Sequence, residues 1–182
     1  MSKKIVYYDG GSDEDNCDND TSNEEKKTTN SEVEAGAEPG IVLISCEKSS
    51  IFVDKKCAKL SPLLSKYIHS KLKKLELKIN NDLLQKLYCY LEYYDGDVKR
   101  SVDNSSSICM PLRYLKMSEN TKSEWDALYI DEIAKDVNVL KNLLNLSEIF
   151  GIEGLTTLCC ARISLLVKGK PFHAAVNFLK KV

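Results

Sequence analysis

The stretch Leu143–Lys170, LLNLSEIFGIEGLTTLCCARISLLVKGK, decides how the rest of this chain is read. It carries the pattern of two consecutive helices. The first ends at Gly151, in the position where a helix favours a residue that takes the left-handed conformation without a steric penalty. The second is expected from about Ile152 to Val167, with a stop at Gly169. Along it Leu155, Leu158, Cys159, Arg162, Ile163, Leu166 and Val167 recur at spacings of three and four, so one face is apolar except for Arg162. No cluster of acid, base and nucleophile accompanies this stripe. The expectation is a surface for packing.

Upstream, 41–46 (IVLISC) and Ile51-Phe52-Val53 are short β-rich runs on either side of the polar break Glu47–Ser50, which predicts a hairpin. Ser61-Pro62 supplies an N-cap followed by proline at the first helical position, with Leu63, Leu64, Tyr67 and Ile68 on one face. Leu75, Leu77 and Ile79 alternate with polar residues, as in a half-buried strand. Asn80-Asn81-Asp82 caps a helix over about 82–94 whose Leu84, Leu87, Tyr88 and Leu91 follow helical spacing. Tyrosines at 88, 90, 93 and 94 read as core and interface.

Residues 95–107, DGDVKRSVDNSSS, are polar, as are Ser118–Ser123, and the short apolar piece Ile108–Met117 lies between them. The whole, about 95–123, is expected to be a mobile insertion between two subdomains. Ser123-Glu124-Trp125-Asp126 then opens a short helix carrying Leu128, Tyr129 and Ile130. Asp136 caps the helix that leads into the opening stretch, and Pro171-Phe172 begins a last one.

The 182 residues suffice for one core of ordinary size. Residues 1–40 hold 11 acidic and 4 basic residues, a net of −7, whereas the remainder holds 16 acidic and 22 basic, a net of +6. The segment 1–38 has so little to bury over residues 9–38 that a disordered acidic tail is expected. Lysines in the body are scattered, so nucleic acid is not expected as a partner. Seven cysteines form no CxxC pair, which fits a reducing compartment. No apolar run approaches the roughly 18 residues that span a bilayer, so no membrane partner is expected either, and the localisation expected is cytoplasm and nucleus.

The chemistry of catalysis is not legible in this sequence. His69 and His173 are the two histidines, and no spacing of Cys, His and carboxylates suggests a metal site. There is no G-x-x-x-x-G-K-S/T phosphate loop, no G-x-G-x-x-G and no H-E-x-x-H. The chain is expected to be no enzyme and to need no cofactor.

The order strand, strand, short helix, strand, helix, then further helices resembles the BTB/POZ fold, an α+β interaction module. Trp125-Asp126 followed by Tyr129-Ile130 is similar to the W-D-x-x-F/Y-L/I signature of the S-phase kinase-associated protein (Skp) family, adaptor subunits of Skp–cullin–F-box ubiquitin ligases. Ile152, Gly154, Leu155, Cys160, Ile163, Leu166, Val167 and Lys168-Gly169-Lys170 match that family's D-I-x-G-L…C…I-K-G-K block in register. Ile41–Ser45 with Phe52-Val53-Asp54 and Ala58-Lys59 resembles its opening.

The resemblance implies a BTB/POZ-like domain over 39–150 and Skp-type helices over 151–182. It implies two partners, a cullin N-terminal domain and F-box-like receptors. Trp125 and the residues of the 152–170 block would face the F-box. Glu148-Ile149 stand where the family has an Asn-Tyr pair facing the cullin, so this part departs from the pattern. Family members also continue past the position of Val182 into a further helix, and the clasp on the receptor is expected to lack that piece. The alternative expectation is a Skp-like or plain BTB/POZ module that acts without a cullin, with a weak homodimer as one form.

Overall fold

The computed structural model describes residues 39–70 and 73–180. The segment 1–38, expected to be a disordered tail, lies outside the described residues. The described chain is α+β: a three-stranded sheet and seven α-helices. Strand β1 (Gly40–Ile44) pairs antiparallel with β2 (Ser50–Asp54), with Ile41 opposite Val53 and Leu43 opposite Ile51. Ile41, Leu43 and Val53 are fully buried, so the period-two pattern of the sequence sets the register. The chain then crosses through a 3-10 turn (Cys57–Leu60) and α1 (Pro62–Ile68) to β3 (Lys74–Glu76), which lies parallel to β1 and gives the order β2-β1-β3. Only three residues of β3 are strand, but Leu77 N–H donates to the Ile44 carbonyl at 2.8 Å and Cys46 N–H to the Ile79 carbonyl at 2.9 Å, so the pairing runs on past it.

Helix α2 (Asn81–Tyr94) starts on Asn80, whose side chain accepts from Leu83 N–H, and buries Leu84, Leu87, Tyr90, Leu91 and Tyr94. Helices α4 (Glu124–Ile133) and α5 (Val137–Phe150) are capped by Ser123 and Asp136 as the sequence predicts. Gly151 ends α5 at φ 69°, the left-handed region that favours glycine. A Cβ there would also press on Pro62 Cδ at 3.2 Å. Beside it the buried Ser61 hydroxyl accepts from Leu64 N–H at 3.2 Å and donates to the Phe150 carbonyl. One side chain therefore caps the start of α1 and fixes the end of α5.

Helix α6 (Glu153–Val167) packs against α3, α4 and α5. Of the expected stripe Leu155, Leu158, Cys159 and Ile163 are buried while Arg162, Leu166 and Val167 are half-buried, and Ala161 and Leu165 are buried outside it, so the helix is embedded on more than one face. Arg162, the polar break in the stripe, pairs with Asp131 at 2.9 Å. The buried apolar residues form one cluster running from Ile41 to Leu165. Helix α7 (Phe172–Lys180) follows, with none of its residues fully buried.

The stretch 95–123, expected to be a mobile insertion between two subdomains, contains a helix that the sequence reading did not place. Val98–Ser106 form helix α3, capped by Asp97 and packed on α6. Its inward positions are Ser101 and Ser105, so the contact is made by small polar residues and leaves no apolar period to read. Beyond it, the buried Asn120 amide accepts from Arg113 N–H at 3.1 Å and donates to the carbonyls of Tyr114 and Lys116 at 2.9 and 2.7 Å. Met117, fully buried, pins the same segment to the core. Polar side chains here replace secondary structure as the partners of the backbone.

Candidate functional site

The residues singled out in the sequence separate into three groups. Trp125, half-buried, is held in an aromatic column. Its ring stacks on Tyr93 at 3.7 Å between centroids and on Tyr129 at 4.8 Å, with interplanar angles of 1° and 12°. The Arg100 guanidinium covers the outer face of this column, 4.5 Å from the Tyr93 centroid. Tyr129 in turn donates to the Lys86 carbonyl at 2.8 Å. Both faces of Trp125 are thus occupied by this chain's own rings.

The second group is interior. Ile152, Gly154, Leu155 and Ile163 are buried against α3, α4 and α5, so their side chains support the fold. The third group is accessible: Cys160, Lys168, Gly169 and Lys170 are exposed and Leu166 and Val167 half-buried. Sequence reasoning missed what lies over this end of α6. Lys168 donates to the carbonyls of Leu112 and Arg113 at 2.7 and 2.8 Å, and Arg162 to that of Leu115 at 3.3 Å. The segment 112–115 is tied across the end of α6, with Tyr114 and Leu115 exposed beside it.

Glu148 and Ile149 are both exposed on the last turn of α5, and Ile149 is 67% exposed. Ile149 borders a shallow cleft of about 350 Å³, lined also by Ile79, Leu83, Asn142, Asn145 and Leu146. Its lining mixes apolar side chains with the amides of Asn80, Asn142 and Asn145 and the Lys78 side chain. Glu148 has no desolvation to overcome at this position.

Beneath the aromatic column lies the buried Asp126. Tyr94 donates its hydroxyl to both Asp126 carboxylate oxygens at 2.8 Å, and Asn104 Nδ2 donates to the Tyr94 oxygen at 3.1 Å. Burial pushes the Asp126 carboxyl above the usual range, opposed by the Tyr94 hydrogen bond. A carboxyl raised in the folded state contributes stability that is full below its unfolded pKa and is lost as pH rises through the folded value. The stability of the wild-type chain relative to Asp126→Asn is therefore expected to fall as pH rises through the carboxylate range. Urea unfolding of both chains across that range checks it, and a flat difference would contradict the burial effect.

His69 and His173 are exposed, and among the described residues the buried cysteines are Cys57 and Cys159. Burial pushes both thiols up, Cys57 to about 12 with help from Asp54, so both are protonated at neutral pH. Asp54, Cys57 and Asp95 offer donor atoms within 4.8 Å of one another. Asp54 there accepts from Cys57 N–H at 2.7 Å, at the start of the 3-10 turn. Among the residues singled out in the sequence, the accessible ones fall on two surfaces, one at the end of α5 and one around the end of α6. Compared with known proteins, the chain matches no protein-family model and no curated protein.

Proposed function

We propose that this chain is a non-enzymatic adaptor of a cullin-type ubiquitin ligase, built on a BTB/POZ-like domain with Skp-type helices after it. Its role is to bridge a cullin and an F-box-like substrate receptor for ubiquitin-dependent degradation. The order β-β-α-β followed by helices supports the fold reading. The observation that carries the function is the end of α5, where a large apolar side chain is 67% exposed on the rim of a cleft. Such a residue at such a place fits a protein partner. On the other side of Gly151, the accessible residues are Cys160, Leu166, Val167 and Lys168-Gly169-Lys170. They offer a receptor a smaller face than the sequence block alone suggests, because Ile152, Gly154, Leu155 and Ile163 are spent on the core.

Titration of the purified chain with a cullin N-terminal domain tests the reading. The substitution Glu148→Asn/Ile149→Tyr restores the family pair and is expected to tighten binding roughly tenfold, about 1.4 kcal/mol. An unchanged affinity shows that the end of α5 does not face the cullin. If neither form binds, the adaptor role fails. The exposed Ile149 then favours the second reading, a Skp-like interaction module whose partner at the cleft is not a cullin.

A further inference from the structure

The face around α7 is both apolar and basic. Phe172 is 85% exposed and Leu179 48% exposed, and their spacing of seven places them in one row. His173 and Lys180, also seven apart, form the row beside it. At the foot of the helix Lys141 and Lys170 approach the Phe178 ring at 4.8 and 5.1 Å, and the buried Lys141 ammonium donates to the Phe178 carbonyl. The ion pairs among the described residues join Lys86 to Asp82, Lys135 to Glu132 and Arg162 to Asp131. The exposed Lys168, Lys170 and Lys180 thus have no carboxylate partner among the described residues. An occupant of this face needs acidic residues next to a short apolar patch.

The chain carries such a segment. Ile5-Val6-Tyr7-Tyr8 is apolar and aromatic, and the stretch Asp9–Asp20 after it holds six carboxylates with no lysine or arginine. We propose that this N-terminal segment docks on the α7 face of its own chain, with Ile5–Tyr8 covering the Phe172–Leu179 row and the carboxylates facing the lysines. The charges complement each other, net −7 over residues 1–40 against +6 in the remainder. Reach is no obstacle. Some 30 residues between Tyr8 and Pro39 can extend to at most about 100 Å, against a radius of gyration of about 14 Å for a domain of this size. Tethering supplies an effective concentration in the millimolar range, so a contact too weak to form between separate molecules forms within one. A segment bound here covers the accessible end of α6 and α7, and any partner of that face has to displace it.

The test needs only the purified full-length chain and is independent of the adaptor reading. Asp13→Asn/Glu14→Gln/Asp15→Asn/Asp18→Asn/Asp20→Asn removes charge without touching a described contact. Backbone amide NMR spectra of this variant and the wild type are expected to differ at residues 168–180 in low salt. The wild type should move to the variant's positions at about 1 M salt, where the screening length is about 3 Å. In the reverse direction, Lys170→Glu/Lys180→Glu should shift the amides of Ile5–Tyr8. Identical α7 spectra in wild type and tail variant overturn the proposal. Shifts that grow with protein concentration also overturn it, since they assign the segment to a second copy.

Discussion

Replacing Gly154 by alanine is expected to lower the free energy of unfolding by about 2–4 kcal/mol, although in a free helix the same change would stabilise by roughly 0.5–1 kcal/mol. The reason is the closeness of α3. A Cβ on Gly154 would lie 2.2 Å from Ser101 Oγ, 2.7 Å from Tyr90 Oη and 2.9 Å from the Ser101 carbonyl oxygen. The Ser101 side chain can turn away, but it then leaves Tyr90, with which it shares a buried hydrogen bond of 2.9 Å. Leaving that hydroxyl unpaired costs about 1–3 kcal/mol. The carbonyl belongs to the helix backbone, so relieving that contact moves α3 itself. Urea unfolding followed by circular dichroism measures the loss. The double variant Gly154→Ala/Ser101→Gly should recover part of it, because the closest contact disappears. A Gly154→Ala chain as stable as the wild type would mean that α3 does not lie against α6 as described.

The second large effect concerns Trp125. Truncation to alanine removes the middle of the column Arg100–Tyr93–Trp125–Tyr129 and is expected to destabilise by about 3–5 kcal/mol. Phenylalanine keeps one ring in the stack and should lose about 1–2 kcal/mol. Because Trp125 is the single tryptophan of the chain, circular dichroism must follow the unfolding. Stability separates two roles for this residue. A receptor contact predicts a stable Trp125→Ala chain that binds its partner poorly, whereas an internal pillar predicts lost stability first. The rings on both faces of Trp125 favour the pillar.

What was legible in the sequence follows from how each contact is made. The hairpin, α1, α2, α5 and α6 announce themselves because their buried faces are built from Ile, Leu, Val and Tyr at regular spacing, and because Ser61, Asn80, Asp136 and Gly151 mark their ends. Helix α3 was hidden for the opposite reason. Its contact with α6 is serine against glycine, a close approach of two backbones, and hydropathy carries no record of it. The segment 108–123 was hidden because Asn120 organises it through hydrogen bonds to the backbone, which no periodicity encodes. The block 152–170 was visible as a pattern, but a one-dimensional pattern does not tell an interior residue from an accessible one. Leu155 and Leu166 look alike in sequence, and only the placement of α3 and α4 separates them.

The Ser61 hydroxyl joins residues 89 positions apart, and its acceptor, the Phe150 carbonyl, is followed at once by the left-handed turn into α6. This has a consequence for how the chain is made. During synthesis, the hairpin, α1 and α2 emerge long before Phe150 and α6 exist to cover them. Their joint core closes only when the last third of the chain has left the ribosome. Until then Leu64, Leu84 and Leu91, all fully buried in the finished protein, stay uncovered. The nascent chain is therefore expected to pass through a stage of exposed apolar surface, which proteolysis of chains stalled before Phe150 would detect.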